Sequence, residues 1–223
     1  MTAKEKIARR AAREIKDGSF VNLGAGLPVM CLNYIPEDVH SFLQSENGII
    51  GCQALEENEP APSFYSFDAA NNYCKLCPEG SIVDSMTAFG LIRGGHLDLT
   101  ILGTMQVDEE GTLANWTVPG GKLAGMGGAM DLVAGAKRVI VATEHCDKKG
   151  NPKILEKCTF PPTGLRCVDT IITEYAYISV TDDGLVVKEI APGITPEELQ
   201  EKTGATLKFD KNMKVMDVAE ENE

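Results

Sequence analysis

Short apolar segments, each followed by a turn or a helical pattern, recur along the chain and constrain its fold more than any other feature. A helix is predicted over residues 3–17, where Ile7, Ala11 and Ile15 share one face, and a second begins near Pro28. Short strands that alternate with helices are typical of a parallel sheet. The sequence therefore predicts an α/β fold: an open, largely parallel sheet with helices on both faces. The predicted strands are 20–23, 42–45, 97–102, 138–142, 170–173, 177–180 and 185–190, and the remaining helices are 84–92, 129–136 and one after Thr195.

The chain contains no internal repeat and no low-complexity linker, so we expect a single domain over residues 1–217 and an acidic, frayed tail over 218–223. Residues 56–80 are polar and rich in Glu, Pro and Asn, which predicts a loop excursion. The last helix has the clearest start signal: Thr195-Pro196-Glu197-Glu198 forms a capping box with proline at the first helical position. Gly204 is expected to end it.

The charge balance limits the partners of the protein. With 33 acidic and 21 basic side chains, the formal net charge is −12. Because duplex DNA is bound by a basic face, nucleic acid is an unsuitable partner. No apolar stretch approaches the roughly 20 residues of a membrane span, and the first residues lack the apolar core of a signal peptide. We expect no membrane association and a cytoplasmic location.

Seven cysteines in such a protein indicate reduced thiols. Cys74 and Cys77 form a single CxxC, and His145-Cys146 is the other place where potential ligands lie close together. A structural zinc site requires two close ligand pairs. We therefore predict no metal site, and interpret the cysteines as small, partly buried apolar residues.

Three glycine-containing segments are candidates for chemistry. Gly24-Ala25-Gly26 follows a predicted strand, and Gly125-Met126-Gly127-Gly128 precedes a predicted helix; each is either a ligand-binding loop or a tight turn. Ser45-Glu46-Asn47-Gly48 delivers a carboxylate at the carboxyl end of a predicted strand, where open α/β sheets bind ligands. A carboxylate at neutral pH is ionised and acts as a base or nucleophile without activation. The alternative for Glu46 is a carboxylate hydrogen-bonded in a turn.

Taken together, these segments resemble the β subunit of the family I CoA-transferases, of the 3-oxoacid and butyrate–acetoacetate type. The resemblance covers roughly residues 5–190, and its motifs occur in the order of the family. They are Asn22-Leu23-Gly24-Ala25-Gly26-Leu27-Pro28, Gln44-Ser45-Glu46-Asn47-Gly48, Leu91-Ile92-Arg93-Gly94-Gly95-His96, Met105-Gln106-Val107-Asp108, Leu113-Ala114-Asn115-Trp116, Pro119-Gly120 and Gly125-Met126-Gly127-Gly128-Ala129-Met130-Asp131.

The resemblance implies a role for particular residues. Glu46 matches the family's nucleophile, which transfers CoA between an acyl-CoA and a carboxylic acid through a glutamyl-CoA thioester. Gly127 or Gly128 would supply a backbone donor to the oxyanion, and Asn115 would lie near the CoA site. Gly24, Gly26 and Asn47 are candidates for the substrate pocket. CoA is then a substrate, and no other cofactor is implied.

The resemblance also implies a partner, because the family's catalytic unit has two similarly folded halves. We expect an α subunit in a heterodimer or a heterotetramer. Residues 52–80 follow the family pattern poorly, notably at 68–74, and this departure leaves the accepted acid open: acetate, butyrate, acetoacetate, another 3-oxoacid or a dicarboxylate. His96 and Trp116 are interpreted as structural residues.

Three other functions compete with this interpretation. The first is an acyl-CoA hydrolase or an isomerase on a related fold. The second is a non-catalytic ligand-binding subunit, which the intact Glu46 disfavours. The third is an NAD-binding domain, which is disfavoured because Val29 stands where the fingerprint requires a third glycine.

Overall fold

The computed structural model describes residues 1–56, 58–60, 62, 67–121 and 125–218. These residues form four α-helices, one 3-10 helix and thirteen strands. The helices are α1 (Ala3–Ala12), α2 (Ser85–Arg93), α3 (Ala129–Gly135) and α4 (Pro196–Glu201), and the 3-10 helix is Pro28–Tyr34. The strands are β1 (Phe20–Leu23), β2 (Phe42–Ser45), β3 (Ile49–Ala54), β4 (Cys74–Ile82), β5 (Leu99–Leu102), β6 (Gln106–Asp108), β7 (Leu113–Ala114), β8 (Val139–Ala142), β9 (Ile154–Leu155), β10 (Thr170–Ile172), β11 (Ala176–Thr181), β12 (Gly184–Ile190) and β13 (Leu207–Val215).

Five parallel strands form the centre of a ten-stranded sheet. Their order is β2-β1-β5-β8-β10, and every neighbouring pair among them is parallel. On one side β3 and β4 continue the sheet in antiparallel fashion, and on the other β11 and β12 do so before β13 adds in parallel. The strands β7, β6 and β9 form a separate small sheet. The predicted open, largely parallel sheet is confirmed.

Each face of the large sheet has its own apolar cluster. Alternate residues of a strand supply opposite faces: Val139 and Val141 of β8 join the cluster with α2, α3 and α4, whereas Ile140 and Ala142 join the cluster with α1 and the 3-10 helix. The helices therefore cover both faces, as predicted. All five parallel strands end at the same edge, and this edge collects the segments that the sequence marked as candidates.

The predicted starts of two helices are confirmed. Asp84 caps α2 by accepting a hydrogen bond from the Thr87 N–H, and Thr195 and Glu198 form the capping box of α4.

No helix among the described residues is long and apolar enough to cross a membrane.

Other predictions are wrong in their extent. The first helix ends at Ala12 instead of residue 17, because the chain turns there, with Ile15 N–H bonded to Ala12 O. Ile15 is nevertheless buried, which explains why it extended the apolar pattern. The predicted loop 56–80 contains most of β4, and β3, β13 and the small sheet were not predicted. The tail over 219–223 lies outside the described residues, and the single domain over 1–217 remains a prediction.

Candidate active site

Glu46 is the first residue after β2, at the carboxyl edge of the sheet. The strand β1 pairs with β2, and Asn22 of β1 stands opposite Gln44 of β2. The buried Asn22 side chain donates from Nδ2 to Oε2 of Glu46 at 3.2 Å, and also to the carbonyl (3.1 Å) and the side-chain oxygen (2.9 Å) of Gln44. One amide of β1 therefore orients the half-buried carboxylate of Glu46.

The turn that carries Glu46 depends on Gly48. This residue has φ +119°, and a Cβ there would clash with the carbonyl oxygen of Val83. Its N–H bonds to Ser45 O at 3.0 Å, and its own carbonyl accepts from Val83 N–H at 2.8 Å. The tight turn fixes the direction in which the chain leaves β2.

The predicted glycine segment before α3 lies against Glu46. A Cβ on Gly128 would stand 3.3 Å from Oε1 of Glu46 and 3.4 Å from its Cγ, with Phe89 of α2 equally close. Gly127 has φ +59°, in the left-handed region that glycine favours. The fold thus brings the two most specific sequence segments together, although they lie about eighty residues apart.

The other predicted site residues have different surroundings. Asn115 follows β7, where its Nδ2 donates to Gly103 O (3.2 Å) and its Oδ1 accepts from Thr163 (2.7 Å). Gly24 bonds through its N–H to Ile101 O, and a Cβ there would press on Leu102, so its small size serves packing against β5. Gly26 has φ +86°.

Two adjoining chambers open beside Glu46. The first chamber, of about 70 Å³, reaches Glu46 itself, and the second, of about 460 Å³, extends towards Tyr73 and Cys74. Gly24 lines the first chamber and Gly26 the second. The residues shared by both are Ala25, Val29, Leu32, Cys52, Asp68 and Ala70.

Residues 67–72, here called the flanking loop, form one wall of the first chamber. The loop is bound on both sides of Glu46: the Ala69 N–H donates to Oγ of Ser45 at 2.7 Å, and Nδ2 of Asn47 donates to Phe67 O at 2.6 Å. Asn47 is exposed and its side chain holds this loop, and its place in the substrate pocket stays a prediction. The loop belongs to the stretch whose sequence departs from the family pattern.

The thiols near the chambers are uncharged. Burial raises the pKa of Cys52, and a hydrogen bond with the neighbouring Cys74 thiol raises it further. Among the described residues, no group of three His, Cys, Asp or Glu side chains could hold a metal ion. His145, which the sequence placed next to a cysteine, bonds through its two ring nitrogens to Thr173 (3.1 Å) and Thr203 (2.9 Å).

Sequence reasoning gave no role to three residues at this site. Asn22 and Ser45 belong to quoted motifs, but only the packing of β1 and of the flanking loop gives them a partner. The signal for Asn22 was a polar side chain in the otherwise apolar strand Phe20–Leu23. Asp68 lines both chambers, and its one sequence signal was its place in the stretch 68–74 that departs from the family pattern.

The large sheet is covered on both faces, and an oriented carboxylate lies at its carboxyl edge beside a glycine segment and a chamber. This arrangement is typical of an α/β protein that carries out covalent or acid–base chemistry on a small molecule. The comparison with known proteins identifies the family. The model of the coenzyme A transferase family matches residues 4–202, and the chain belongs to this family. It is a subunit of an enzyme with CoA-transferase activity.

Relatives of similar length and relatives of greater length both match. The chain is 46% identical to the acetate CoA-transferase subunit beta of Haemophilus influenzae over 220 residues, which cover 99% of this chain and 98% of that one. It is 46% identical to the mitochondrial succinyl-CoA:3-ketoacid coenzyme A transferase 2A of Rattus norvegicus, over 95% of this chain but 41% of that protein. An acyl-CoA transferase structure from Escherichia coli O157:H7 shares the fold with a TM-score of 0.76 at 24% identity, over 97% of this chain and 44% of that chain. This chain therefore spans less than half of the two longer proteins.

Proposed function

We propose that this chain is the β subunit of an enzyme that transfers CoA between an acyl-CoA and a short-chain fatty acid or 3-oxoacid, such as acetoacetate, through a glutamyl-CoA thioester on Glu46. One observation carries the proposal: the Glu46 carboxylate is oriented by Asn22, faces a chamber and lies against Gly128. Family membership supports the transferase over the hydrolase, isomerase and NAD-binding alternatives.

The reaction proceeds by ping-pong covalent catalysis. The Glu46 carboxylate attacks the thioester carbonyl, which forms an acyl-glutamyl anhydride and releases CoA as thiolate. The thiolate then attacks the glutamyl carbonyl, releases the first carboxylic acid as its anion and leaves the glutamyl-CoA thioester. A second carboxylate attacks this thioester, and the same steps in reverse release its CoA ester. Only CoA and the acids take part, so the proposal includes no further cofactor.

Each acyl transfer passes through a tetrahedral oxyanion, which requires a preorganised donor. The backbone N–H of Gly127 or Gly128 is suited to this role because the segment lies beside the Glu46 carboxyl group. Removal of one such donor typically lowers the rate by about 10²–10³-fold. Asn115 is less suited to bind CoA, because both ends of its side-chain amide already form hydrogen bonds within the protein.

We also propose an α subunit as the partner, in a heterodimer or heterotetramer. The Haemophilus influenzae relative, which matches over nearly the whole length of both chains, is named a beta subunit, and the longer relative contains the matching part as 41% of its length. The partner would also help to bind CoA, which is a polyanion, on a chain of net charge −12.

The test traps the intermediate. The chain assembled with its α subunit is incubated with acyl-CoA and treated with borohydride, and the peptide that contains Glu46 is analysed by mass spectrometry. We expect reduction of Glu46 to the alcohol. Glu46→Gln should abolish labelling and turnover, whereas Glu37→Gln, which removes an exposed carboxylate, should retain both. An unmodified Glu46 in an assembly that still turns over acyl-CoA would contradict the mechanism.

A further inference from the structure

The surroundings of Glu46 also indicate which acids the enzyme accepts, provided that the proposed function holds. We propose that the first chamber takes an uncharged acyl chain, as in acetate, butyrate or acetoacetate. It rejects the second carboxylate of a four-carbon dicarboxylic acid such as succinate. The flanking loop, residues 67–72, sets this preference.

The flanking loop is attached to the chain on both sides of the reacting carboxylate. Its hydrogen bonds to Ser45 and Asn47 attach it to the residues immediately before and after Glu46. An acyl group transferred to or from Glu46 therefore extends into a space whose boundary includes Asp68, Ala69 and Ala70. A change in this loop alters the acyl site directly.

The charges around the chamber are unfavourable for a second carboxylate. Among the described residues that line the two chambers there is no lysine, arginine or histidine, and the ionisable carboxyl groups are Glu46 and Asp68. The remaining wall of the first chamber is mostly small or apolar, as at Ala25, Val29 and Leu43. A carboxylate moved from water into such a space loses its hydration without gaining a counter-charge.

Asp68 adds repulsion and offers no donor. Its Oδ1 accepts from the N–H groups of Ala70 and Asn72, both at 2.8 Å, and its Oδ2 accepts from the Asn72 side chain at 3.0 Å. These bonds fix the carboxyl group of Asp68 in the wall of the chamber. A second carboxylate nearby would meet a like charge at short range, which opposes its binding.

The absence of a counter-charge applies to both chambers. The first chamber, of about 70 Å³, adjoins the second, of about 460 Å³, and shares six lining residues with it. Whichever chamber receives the distal carboxylate of succinate, the described residues of its wall provide no cation.

The experiment compares two acceptor acids of four carbons in the assembled enzyme. With acetyl-CoA as the donor, kcat/KM is measured for butyrate and for succinate. We expect the wild-type enzyme to prefer butyrate by at least about 100-fold, since an unpaired buried charge is strongly rejected. Ala70→Lys puts an ammonium group on the chamber wall and should reduce this preference at least about tenfold. Ala70→Met, of similar length but uncharged, is the matched control and should leave the ratio within about threefold.

A second variant tests the repulsion without adding bulk. Asp68→Asn keeps the size of the side chain and should also lower the preference for butyrate. If either variant fails to fold, the wild-type ratio alone decides.

The possible failures are distinguishable. Comparable kcat/KM values for succinate and butyrate in the wild-type enzyme, with Glu46 still labelled by borohydride, would overturn this inference and leave the proposed function intact. An equal effect of Ala70→Met and Ala70→Lys would show that shape, and not charge, selects the acid. Absence of transfer to any acid, with Glu46 unlabelled, would overturn the proposed function and this inference together.

Discussion

The contact between Gly128 and Glu46 leaves little space for a side chain. Gly128 has φ −78°, so alanine is compatible with its backbone, but the added Cβ would stand 3.3 Å from Oε1 of Glu46. The carboxyl group must then shift by a few tenths of an ångström. We expect Gly128→Ala to lower kcat roughly tenfold, because small misplacements of a reacting group are costly, while the melting temperature stays nearly unchanged.

Gly125 provides the matched control for this prediction. It lies in the same segment, has no positive φ, and a Cβ there would meet nothing within 4 Å. Gly125→Ala should therefore leave kcat and the melting temperature as they are. Equal losses of kcat in both variants would show that the flexibility of the segment matters, and that the contact with Glu46 does not.

His145 makes the stability of the protein depend on pH. Burial, and to a smaller extent the charge of Lys202, lower the pKa of this ring from 6.5 to about 4. Between these values the unfolded chain takes up a proton that the folded protein does not bind. The free energy of unfolding therefore falls as the pH falls through this window, by about 2 kcal/mol between pH 7.5 and 5 for this group.

Urea denaturation at the two pH values measures this effect. His145→Gln retains hydrogen-bonding capacity towards Thr173 and Thr203 but cannot be protonated, so its free energy of unfolding should decrease less than that of the wild type. Glu174 acts in the opposite sense, since burial raises the pKa of its carboxyl group. It is present in both proteins, and the difference between them isolates His145. Parallel pH profiles would refute the assignment.

At the scale of elements, Arg10 joins α1 to the sheet. Its guanidinium bonds to both carboxylate oxygens of Glu189 in β12 (2.7 and 2.8 Å) and to Glu14 (2.7 Å), and it stacks on Tyr177 of β11. Arg138, immediately before β8, donates to the other oxygen of Glu14 at 2.6 Å. Burial opposes ionisation of Glu14, but the bonds from the two arginines outweigh it and lower the pKa of that carboxyl group.

We expect Arg10→Lys to lower the free energy of unfolding by about 2 kcal/mol, because lysine cannot reproduce the planar two-point contact or the stacking in a buried site. The same substitution at Arg166 is the control. Arg166 also pairs with a glutamate, Glu110, but both side chains are exposed. Its loss should stay below about 0.5 kcal/mol. Urea denaturation of both variants distinguishes the two cases, and similar losses would mean that burial does not strengthen the Arg10 contacts.

The elements that could be predicted from the sequence are those whose signal is local. The central strands are short apolar runs because both faces are covered, and the starts of α2 and α4 are marked by capping residues next to them. The strands β4 and β13 were missed for the complementary reason. They form the two edges of the sheet, carry charged residues, and β4 contains Pro78, which only an edge strand tolerates.

The candidate site could be predicted in part for the same reason. Glu46 and the glycines 127 and 128 belong to distinctive strings, so their type and order already suggested a nucleophile and a donor. The orientation of Glu46 by Asn22, and the attachment of the flanking loop through Ser45, depend on the register of β1 and β2 and on a long-range contact. Neither contact can be predicted from the local sequence.

At the scale of the whole molecule, the parallel strands concentrate function at one edge. Gly24, Glu46 and Gly103 each follow one of the adjacent strands β1, β2 and β5, and parallel pairing brings these positions side by side. The antiparallel strands on either side extend the sheet, but their carboxyl ends do not continue this row of parallel strand ends. The site therefore depends on the integrity of the sheet and on both of its covered faces.

This dependence predicts how the chain unfolds. The two apolar clusters lie on opposite faces, yet they share strands: Ile171 of β10 belongs to one cluster and Ile172 to the other. The first cluster reaches from Ile92 to Leu207 along the chain and the second from Ile7 to Ile172. Because the two clusters overlap along the chain, neither can unfold without exposing residues of the other cluster. We expect residues 1–217 to unfold in one cooperative transition.

Differential scanning calorimetry tests the cooperativity. A single transition near 60 °C should have an enthalpy of about 150 kcal/mol, at about 0.7 kcal/mol per residue, and the calorimetric and van't Hoff values should agree. Two resolved transitions, or a van't Hoff enthalpy about half the calorimetric one, would contradict this expectation and show that part of the chain unfolds separately. The buried contacts of Arg10 with Glu189 join α1 to β12, so they are the first junction to examine in that case. The Arg10→Lys variant would then separate the two transitions further, whereas in a cooperative protein it lowers one melting temperature only.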